Sequence, residues 1–279
     1  MEISHTFNLS EKSKTFQSEE FHPLNIVASL GKKKIEIPSR INEHLSLYKS
    51  NLERITQGKK EIYSLICSGY FSKSMLDDFL KSKKFPIYHL LEDERSVIAK
   101  ISDLKKYHPI ETLTPQQLEN DYKLYTQEIS GVFDKYIKRN YLRELRELFN
   151  FAAEKENEKE LFRLTDFLIH FINWGNSFYN YYDTCFDIFP GNLRKVENRL
   201  SNPLRIKIKA YLAYHTHINT LNRMLEKREH GRISILSVLD WETDIRLLLL
   251  KQFISFFGNR KANEYIKALE EIIHLVLES

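Results

Sequence analysis

The chain has 279 residues, of which 29% are charged, a formal net charge of +4 and a mean hydropathy of −0.44. Its apolar runs are far shorter than the ~20 residues that a membrane-spanning helix needs, so we expect a soluble, cytoplasmic protein without a transmembrane segment. The small charge excess, without interleaved stacking aromatics, argues against a nucleic-acid partner.

Residues 1–37 predict a flexible N-terminal tail or arm. Residues 1–25 are mostly polar and show no period, whereas Ile26–Ile37 is a candidate for an extended strand because it mixes β-branched residues with Gly31. After residue 40 no run of period two with hairpin turns follows. We therefore predict an all-α fold, a multi-helix bundle that follows the tail.

Two helical parts are expected, a bundle over residues 38–120 and a second helical domain over residues 121–279. Apolar residues in both recur at spacings of three and four, which is typical of helices that pack on one another. Several helix starts carry capping signals: Ser72, Thr114-Pro115 with Gln117 placed for a capping box, and Ser201-Asn-Pro203.

The C-terminal stretch divides into three helical segments, Pro203–Lys227, Arg232–Phe257 and Asn259–Leu277. Gly258 separates the last two, and the charged turn Lys227–Arg232 separates the first two. A charged turn held by a rigid helical frame is a common functional site. We expect the functional residues of the chain in this region.

Metal and cofactor chemistry is not expected. Cys67 and Cys185 lie in apolar contexts without Cys or His neighbours at zinc spacing, so they predict buried free thiols. His215 and His217 flank one residue of a helix and therefore point about 200° apart, too far to share a metal ion. The chain also contains no glycine-rich phosphate loop and no Ser–His–Asp pattern.

Two short acidic clusters lie within the predicted helical bundle, Asp77-Asp78 and Glu92-Asp93-Glu94. Neither cluster has a matching histidine or a matching second acidic motif. A prenyl-synthase-type site would need two aspartate-rich clusters that face each other, and these are only weak versions of such clusters.

The C-terminal stretch resembles the VPS9 domain, the all-helical catalytic module of exchange factors for early-endosomal Rab GTPases. The resemblance covers about a quarter of the chain and is carried mainly by apolar helix positions. The corresponding residues are Ser201-Asn-Pro203 with Lys207, Glu229–Ile233, Ser234–Leu239, Gln252–Phe257 and Glu264–Leu269.

The resemblance implies that Glu229 is the catalytic acid and that Tyr265 corresponds to one of the family's paired tyrosines. A shifted alignment offers Asp240 or Asp244 as the acid instead. The other positions that the resemblance assigns to GTPase binding are Ile233, Leu236, Gln252 and Lys267.

The chain departs from the family pattern at several of these positions. Ile233 stands in place of a proline, Glu264 in place of the first tyrosine and Lys267 in place of a threonine. Such divergence would fit a bacterial effector that is translocated into a host cell and acts at endosomal membranes. The implied partner is a small GTPase of the early-endosomal Rab group, and the exchange reaction needs no cofactor and no covalent chemistry.

Three other interpretations stay open. Leu200–Pro203, with Arg205 and Tyr211, loosely resembles the last conserved segment of Dbl-homology exchange factors for Rho GTPases. Arg163 and His170, seven residues apart on one helix, loosely resemble the Arg–His pair of HEPN ribonucleases. The chain could also be a non-catalytic helical scaffold that binds a protein partner in any nucleotide state.

Overall fold

The computed structural model describes residues 2–30, 33–45, 56, 59–81, 86–107, 113–172, 177–228 and 236–278. The chain divides into two compact units, of which the first comprises Met1–Thr126 with Leu225–Ile235 and the second Gln127–Met224 with Leu236–Ser279. The described part is mostly helical, but it also contains a small antiparallel sheet. The all-α prediction is therefore confirmed only in part.

The sheet belongs to unit 1 and is built around one long strand, β3. The second half of β3 pairs with β1 on one side and β4 on the other, and its first half pairs with β2 and β5, always antiparallel. The strands are β1 (Glu2–Phe7), β2 (Lys14–Phe16), β3 (Glu19–Leu30), β4 (Lys33–Pro38) and β5 (Tyr70–Phe71). The prediction of a flexible tail over residues 1–37 is wrong, because its described residues form the greater part of this sheet.

The burial pattern explains why the sequence does not predict most of this sheet. In β3 the five consecutive residues Leu24–Ala28 are all buried, so the strand shows no alternation of apolar and polar residues. In β4, Ile35 and Ile37 are buried while Lys34 and Glu36 are exposed, which is the expected period of two. Only β4 and the end of β3 fall within the segment that the sequence suggested as a strand.

The helices of unit 1 pack on this sheet through a common apolar core. Ile41, Ile66 and Phe79 in that core are at most 2% exposed. The capping predictions are confirmed: the Met75 backbone N–H donates to Ser72 Oγ, and Thr114 and Gln117 form a capping box. The helices are α1 (Ile41–Leu45), α2 (Lys60–Cys67), α3 (Lys73–Lys81), α4 (Pro86–Lys105) and α5 (Pro115–Tyr125).

The regular elements in the described part of unit 2 are all helical. Its helices are α6 (Ile129–Ala153), a short 3₁₀ turn (Glu156–Glu158), α7 (Lys159–Phe171), α8 (Phe178–Ile188), α9 (Pro190–Glu197), α10 (Asn202–Arg228), a helical turn (Val238–Asp240), a π-helical turn (Trp241–Ile245) and α11 (Arg246–Leu277). The last four residues of α10 fall within unit 1.

Aromatic side chains fill the core of unit 2. The Tyr141 ring packs against those of Phe178 and Tyr181, with centroids 5.1 and 5.9 Å away. Asp134 fixes the surrounding helices, because its carboxylate accepts hydrogen bonds from the Phe178 backbone N–H at 2.6 Å and from the Tyr211 hydroxyl at 2.8 Å. These contacts join α6, α8 and α10 into one bundle.

Helix α11 is a hairpin of two helical halves. Gly258 interrupts it with φ 75° and ψ 162°, which confirms the predicted separation at this glycine. Arg246 forms an ion pair with Glu270, 24 positions further along the chain. Because a straight helix would separate these residues by about 36 Å, the two halves must fold back on each other.

Candidate functional site

The first two residues of the predicted site, Glu229 and Ile233, lie outside the described residues. The other six, Leu236, Asp240, Asp244, Gln252, Tyr265 and Lys267, all belong to unit 2. They differ widely in exposure, and this difference decides which of them are accessible to a partner.

Leu236 belongs to the frame of the site rather than to its surface. Its side chain is 3% exposed, and its carbonyl accepts a hydrogen bond from the Ile129 backbone N–H at 2.8 Å. Val238 N–H donates in turn to the Gln127 carbonyl at 3.0 Å. This short bridge fixes the start of the C-terminal helical segment against the start of α6.

Asp240 caps the helix in which it lies. The Asp240 carboxylate accepts from the Ser237 backbone N–H at 3.0 Å, and the Asp240 backbone N–H donates to Ser237 Oγ at 3.3 Å. The residue is 8% exposed. A buried carboxylate in a capping box stabilises a helix start and is poorly placed to enter a partner's nucleotide site.

Asp244 is exposed, in contrast to Asp240. It lies in the π-helical turn Trp241–Ile245, whose buried residues Trp241 and Ile245 anchor the turn in the core. Turns of this kind, inserted into α-helices, are frequent at functional sites. The turn therefore presents an acid at the surface on a rigid support.

The surface around Asp244 continues along the first half of α11. Leu247 and Lys251 are exposed and follow Asp244 at helical spacing, and the Leu247 side chain is 56% exposed. Gln252 lies beside them and is half-buried. We call Asp244, Leu247, Lys251 and Gln252 the α11 face; it combines an acid, a large apolar side chain and a base.

Tyr265 packs inside the α11 hairpin. It is 5% exposed, and its ring meets those of Phe253 and Phe257 edge-on, with centroids 6.1 and 5.5 Å away. Its ring therefore holds the two halves of the hairpin together. A direct contact of Tyr265 with a GTPase stays a prediction.

Lys267 is exposed and lines a shallow groove of about 220 Å³. The α10 side of the groove includes Asn202, Pro203 and Lys207, and the α11 side includes Glu271. Lys207 and Glu271 form an ion pair at 3.3 Å across it. The groove thus brings together two parts of the predicted VPS9-like pattern, the start of α10 and Lys267.

A second, smaller recess of about 130 Å³ is almost entirely apolar. Phe167 forms part of its wall and is 41% exposed. The lining residues come from α7, α9 and their surroundings: Leu164, Phe167, Leu168, Phe189, Asn192 and Leu193.

The residues of the ribonuclease interpretation, Arg163 and His170, are both exposed on α7. His170 Nδ1 lies 2.8 Å from the Asp166 carbonyl and 3.4 Å from its carboxylate.

His215 stacks on Tyr179 with ring centroids 3.7 Å apart, and burial lowers the pKa of His215. His217 contacts a different aromatic residue: its ring centroid lies 4.5 Å from that of Phe256.

The structure also reveals a polar cluster in unit 1 that the sequence did not suggest. Each oxygen of the Glu94 carboxylate accepts two hydrogen bonds, all between 2.6 and 2.7 Å. Glu94 belongs to the acidic cluster Glu92–Glu94 and is buried, with 6% of the residue exposed. The donors are His5 and Ser39 at one oxygen and the Arg40 backbone N–H and the Tyr122 hydroxyl at the other.

These hydrogen bonds set the charge of the cluster. Burial raises the pKa of Glu94, but the hydrogen bonds from His5, Tyr122 and Ser39 outweigh it and leave the pKa below its ordinary value. Burial and the neighbouring Glu94 raise the pKa of Tyr122. The carboxylate is therefore ionised and enclosed, so the cluster stabilises the fold rather than providing a site for a substrate.

Among the described residues, no group of three or more His, Cys, Asp or Glu side chains is arranged to hold a metal ion. No described helix is both long and apolar enough to cross a membrane. No family model matches the sequence, and no curated protein or solved structure matches the chain. The VPS9 resemblance consequently depends on the residues of this chain alone.

Proposed function

We propose that unit 2 is a guanine-nucleotide exchange factor for early-endosomal Rab GTPases and that it engages the GTPase through the α11 face. The observation that carries the proposal is the exposure of Asp244 in an anchored π-helical turn, beside the exposed side chain of Leu247. Of the two acids offered by the shifted alignment, Asp240 is used in a helix cap and Asp244 is accessible.

The chemistry of exchange explains why an accessible acid matters. A Rab holds GDP through Mg²⁺ and a lysine of its phosphate-binding loop, which neutralise the phosphates. A carboxylate that enters this site competes for the lysine and repels the β-phosphate. Asp244 has the required charge and exposure, and Leu247 supplies apolar contact for the switch regions of the GTPase.

The groove beside Lys267 provides a second contact surface in this proposal. It contains Asn202 and Pro203, which belong to the start of the VPS9-like pattern. Glu229 remains the acid in the unshifted alignment, so both carboxylates have to be tested. Leu236 and Tyr265 support the surface from the core, since both are at most 5% exposed.

A non-catalytic scaffold is the second candidate function. It is favoured by the apolar recess of about 130 Å³ and by the exposed ring of Phe167 at its edge. A recess of this size could accept one apolar side chain of a partner protein. Such a partner would bind equally well whether or not it carries a nucleotide.

The test is the release of a fluorescent GDP analogue from a panel of Rab GTPases, with Rho GTPases included to detect Dbl-like specificity. We expect acceleration for a subset of early-endosomal Rabs. Asp244→Asn should lower the exchange rate about 10²-fold if its charge acts in the nucleotide site. Glu229→Gln tests the other alignment in the same assay.

Asp187→Asn is the matched control, because Asp187 is an exposed acid on a different helix of unit 2, α8. It should leave the exchange rate unchanged. Reciprocal coupling also requires that excess GDP or GTP weaken the complex between the protein and the Rab. If no GTPase in the panel releases nucleotide faster, the exchange function is excluded for these partners. Binding that is independent of nucleotide would then support the scaffold.

A further inference from the structure

The two halves of the α11 hairpin are joined by a tight turn. Phe253 and Phe257 on the first half contact Tyr265 on the second, so the chain reverses within a few residues around Gly258. We call Phe256–Lys261 the hairpin tip. Its residues 256 and 258–261 are exposed, and Phe257 is half-buried.

A large aromatic side chain is exposed at this tip. Phe256 is 66% exposed, and its ring leans on that of His217 with centroids 4.5 Å apart. An isolated exposed apolar residue needs no explanation by itself. The charge around it, however, is strongly one-sided.

From Arg246 to Asn263 the chain contains four basic residues and no acidic one, and the next acid is the exposed Glu264, one helical turn after Arg260. Arg246 pairs with Glu270, whereas Lys251, Arg260 and Lys261 are exposed. Lys261 lies over the rings of Phe257 and Tyr265 at 5.6 and 5.5 Å. The adjoining part of α10, residues 210–221, contains no Lys, Arg, Asp or Glu, so no acid from that stretch neutralises the tip.

We propose that the hairpin tip docks on an anionic phospholipid bilayer. Phe256 would enter the headgroup–acyl boundary, while Arg260 and Lys261 would meet lipid phosphates and carboxylates. An exposed aromatic residue in the same turn as two exposed cations matches the apolar and anionic layers of such a surface. The proposal is independent of the exchange activity, since Phe256, Arg260 and Lys261 all lie outside the α11 face.

A bilayer fits this surface better than a nucleic acid. Single-stranded nucleic acid is usually bound along a basic groove by several aromatic rings in succession. Here only one ring is largely exposed, at the end of a hairpin. The net charge of the whole chain is only +4.

The experiment is co-sedimentation of the full chain with vesicles of phosphatidylcholine alone or of phosphatidylcholine with phosphatidylserine. We expect binding only to vesicles that contain phosphatidylserine, and weaker binding at high salt. Arg260→Gln with Lys261→Gln should weaken the binding about 25-fold, since each cation near an anionic surface contributes about fivefold. Phe256→Ser should weaken it about tenfold without unfolding the protein, because the side chain is mostly exposed.

The matched control is Arg139→Gln with Arg143→Gln, which removes two exposed charges from α6. It should leave vesicle binding nearly unchanged. Equal losses in the control and the tip variants would show general charge attraction and overturn the proposal, as would the absence of any preference for phosphatidylserine. If the tip variants lose binding to a single-stranded oligonucleotide but still bind vesicles like the wild type, the tip is a nucleic-acid-binding surface instead.

Discussion

His5 and Glu94 are 89 positions apart in the chain, yet His5 Nε2 lies 2.7 Å from the Glu94 carboxylate in the interior of unit 1. The two side chains are only 3% and 4% exposed. Because His5 belongs to β1 and Glu94 to α4, this contact attaches the first strand of the sheet to the longest of the helices described in the unit. Ser39, Arg40 and Tyr122 attach the end of β4 and helix α5 to the same carboxylate.

Replacing Glu94 by Gln should destabilise unit 1 by about 3 kcal/mol. The single carbonyl oxygen of glutamine can accept hydrogen bonds from only some of the four donors. The glutamine NH₂ group would face the remaining donors and leave them without an acceptor. Hydrogen exchange of the β1 and β3 amides measures this loss locally. Glu92→Gln, an exposed position on the same helix, should change the stability by less than about 0.5 kcal/mol. Equal effects of the two variants would contradict the role of the cluster.

The same cluster predicts a dependence of stability on pH. The pKa of Glu94 is lower in the folded protein than its ordinary value of 4.5, so the folded state favours the ionised form. The stability that this group supplies is complete above pH 4.5 and is lost as the pH falls from there through the folded-state pKa. The difference in opening free energy between the wild type and Glu94→Gln should therefore shrink below pH 4.5. A difference that stays constant into strong acid would refute this assignment.

Gly258 and Gly131 predict effects of opposite sign. Gly258 has φ 75° and ψ 162°, a region open essentially to glycine, so Gly258→Ala should cost about 2 kcal/mol although no atom crowds the new methyl group. Gly131 lies in the first turn of α6 with open space around it, so Gly131→Ala should stabilise by about 0.5 kcal/mol. Urea unfolding followed by the fluorescence of buried Trp241 measures both. The conformational argument fails if Gly258→Ala is neutral.

The two acids before α11 should behave differently when they are replaced. Asp240→Ala removes the capping box with Ser237 and should destabilise unit 2 by about 1 kcal/mol. Asp244→Asn changes an exposed side chain and should alter the stability by less than about 0.5 kcal/mol. Thermal melts compare the two. A large loss of stability in Asp244→Asn would mean that the residue supports the fold, and its use as a surface acid would have to be abandoned.

The two cysteines should differ in reactivity. Burial raises the pKa of Cys185 to about 11, so only about one thiol in a thousand is ionised at pH 8. Cys67 is partly exposed. Alkylation of the native protein, read by mass spectrometry of the peptides, should modify Cys67 first and Cys185 only after unfolding. Rapid labelling of Cys185 in the native protein would show that α8 opens readily.

Local signals in the sequence determined a large part of the helical structure. The capping residues Ser72 and Thr114 and the break at Gly258 were predicted correctly, because capping and backbone strain depend on a few adjacent residues. The charge pattern around the hairpin tip is also visible in the sequence. The sequence does not show that the chain reverses its direction at this tip.

Long-range pairing was decided only by the tertiary structure. The residues Leu24–Ala28 of β3 are buried on both faces of the sheet, and strands pair with both edges, so the sequence of β3 shows no alternation of apolar and polar residues. The Glu94 cluster joins residues from four separate segments, and burial of Tyr265 depends on Phe253 and Phe257 across the hairpin. In each case a residue's role depends on partners far away in the chain, and a reading of its neighbours in sequence cannot supply them.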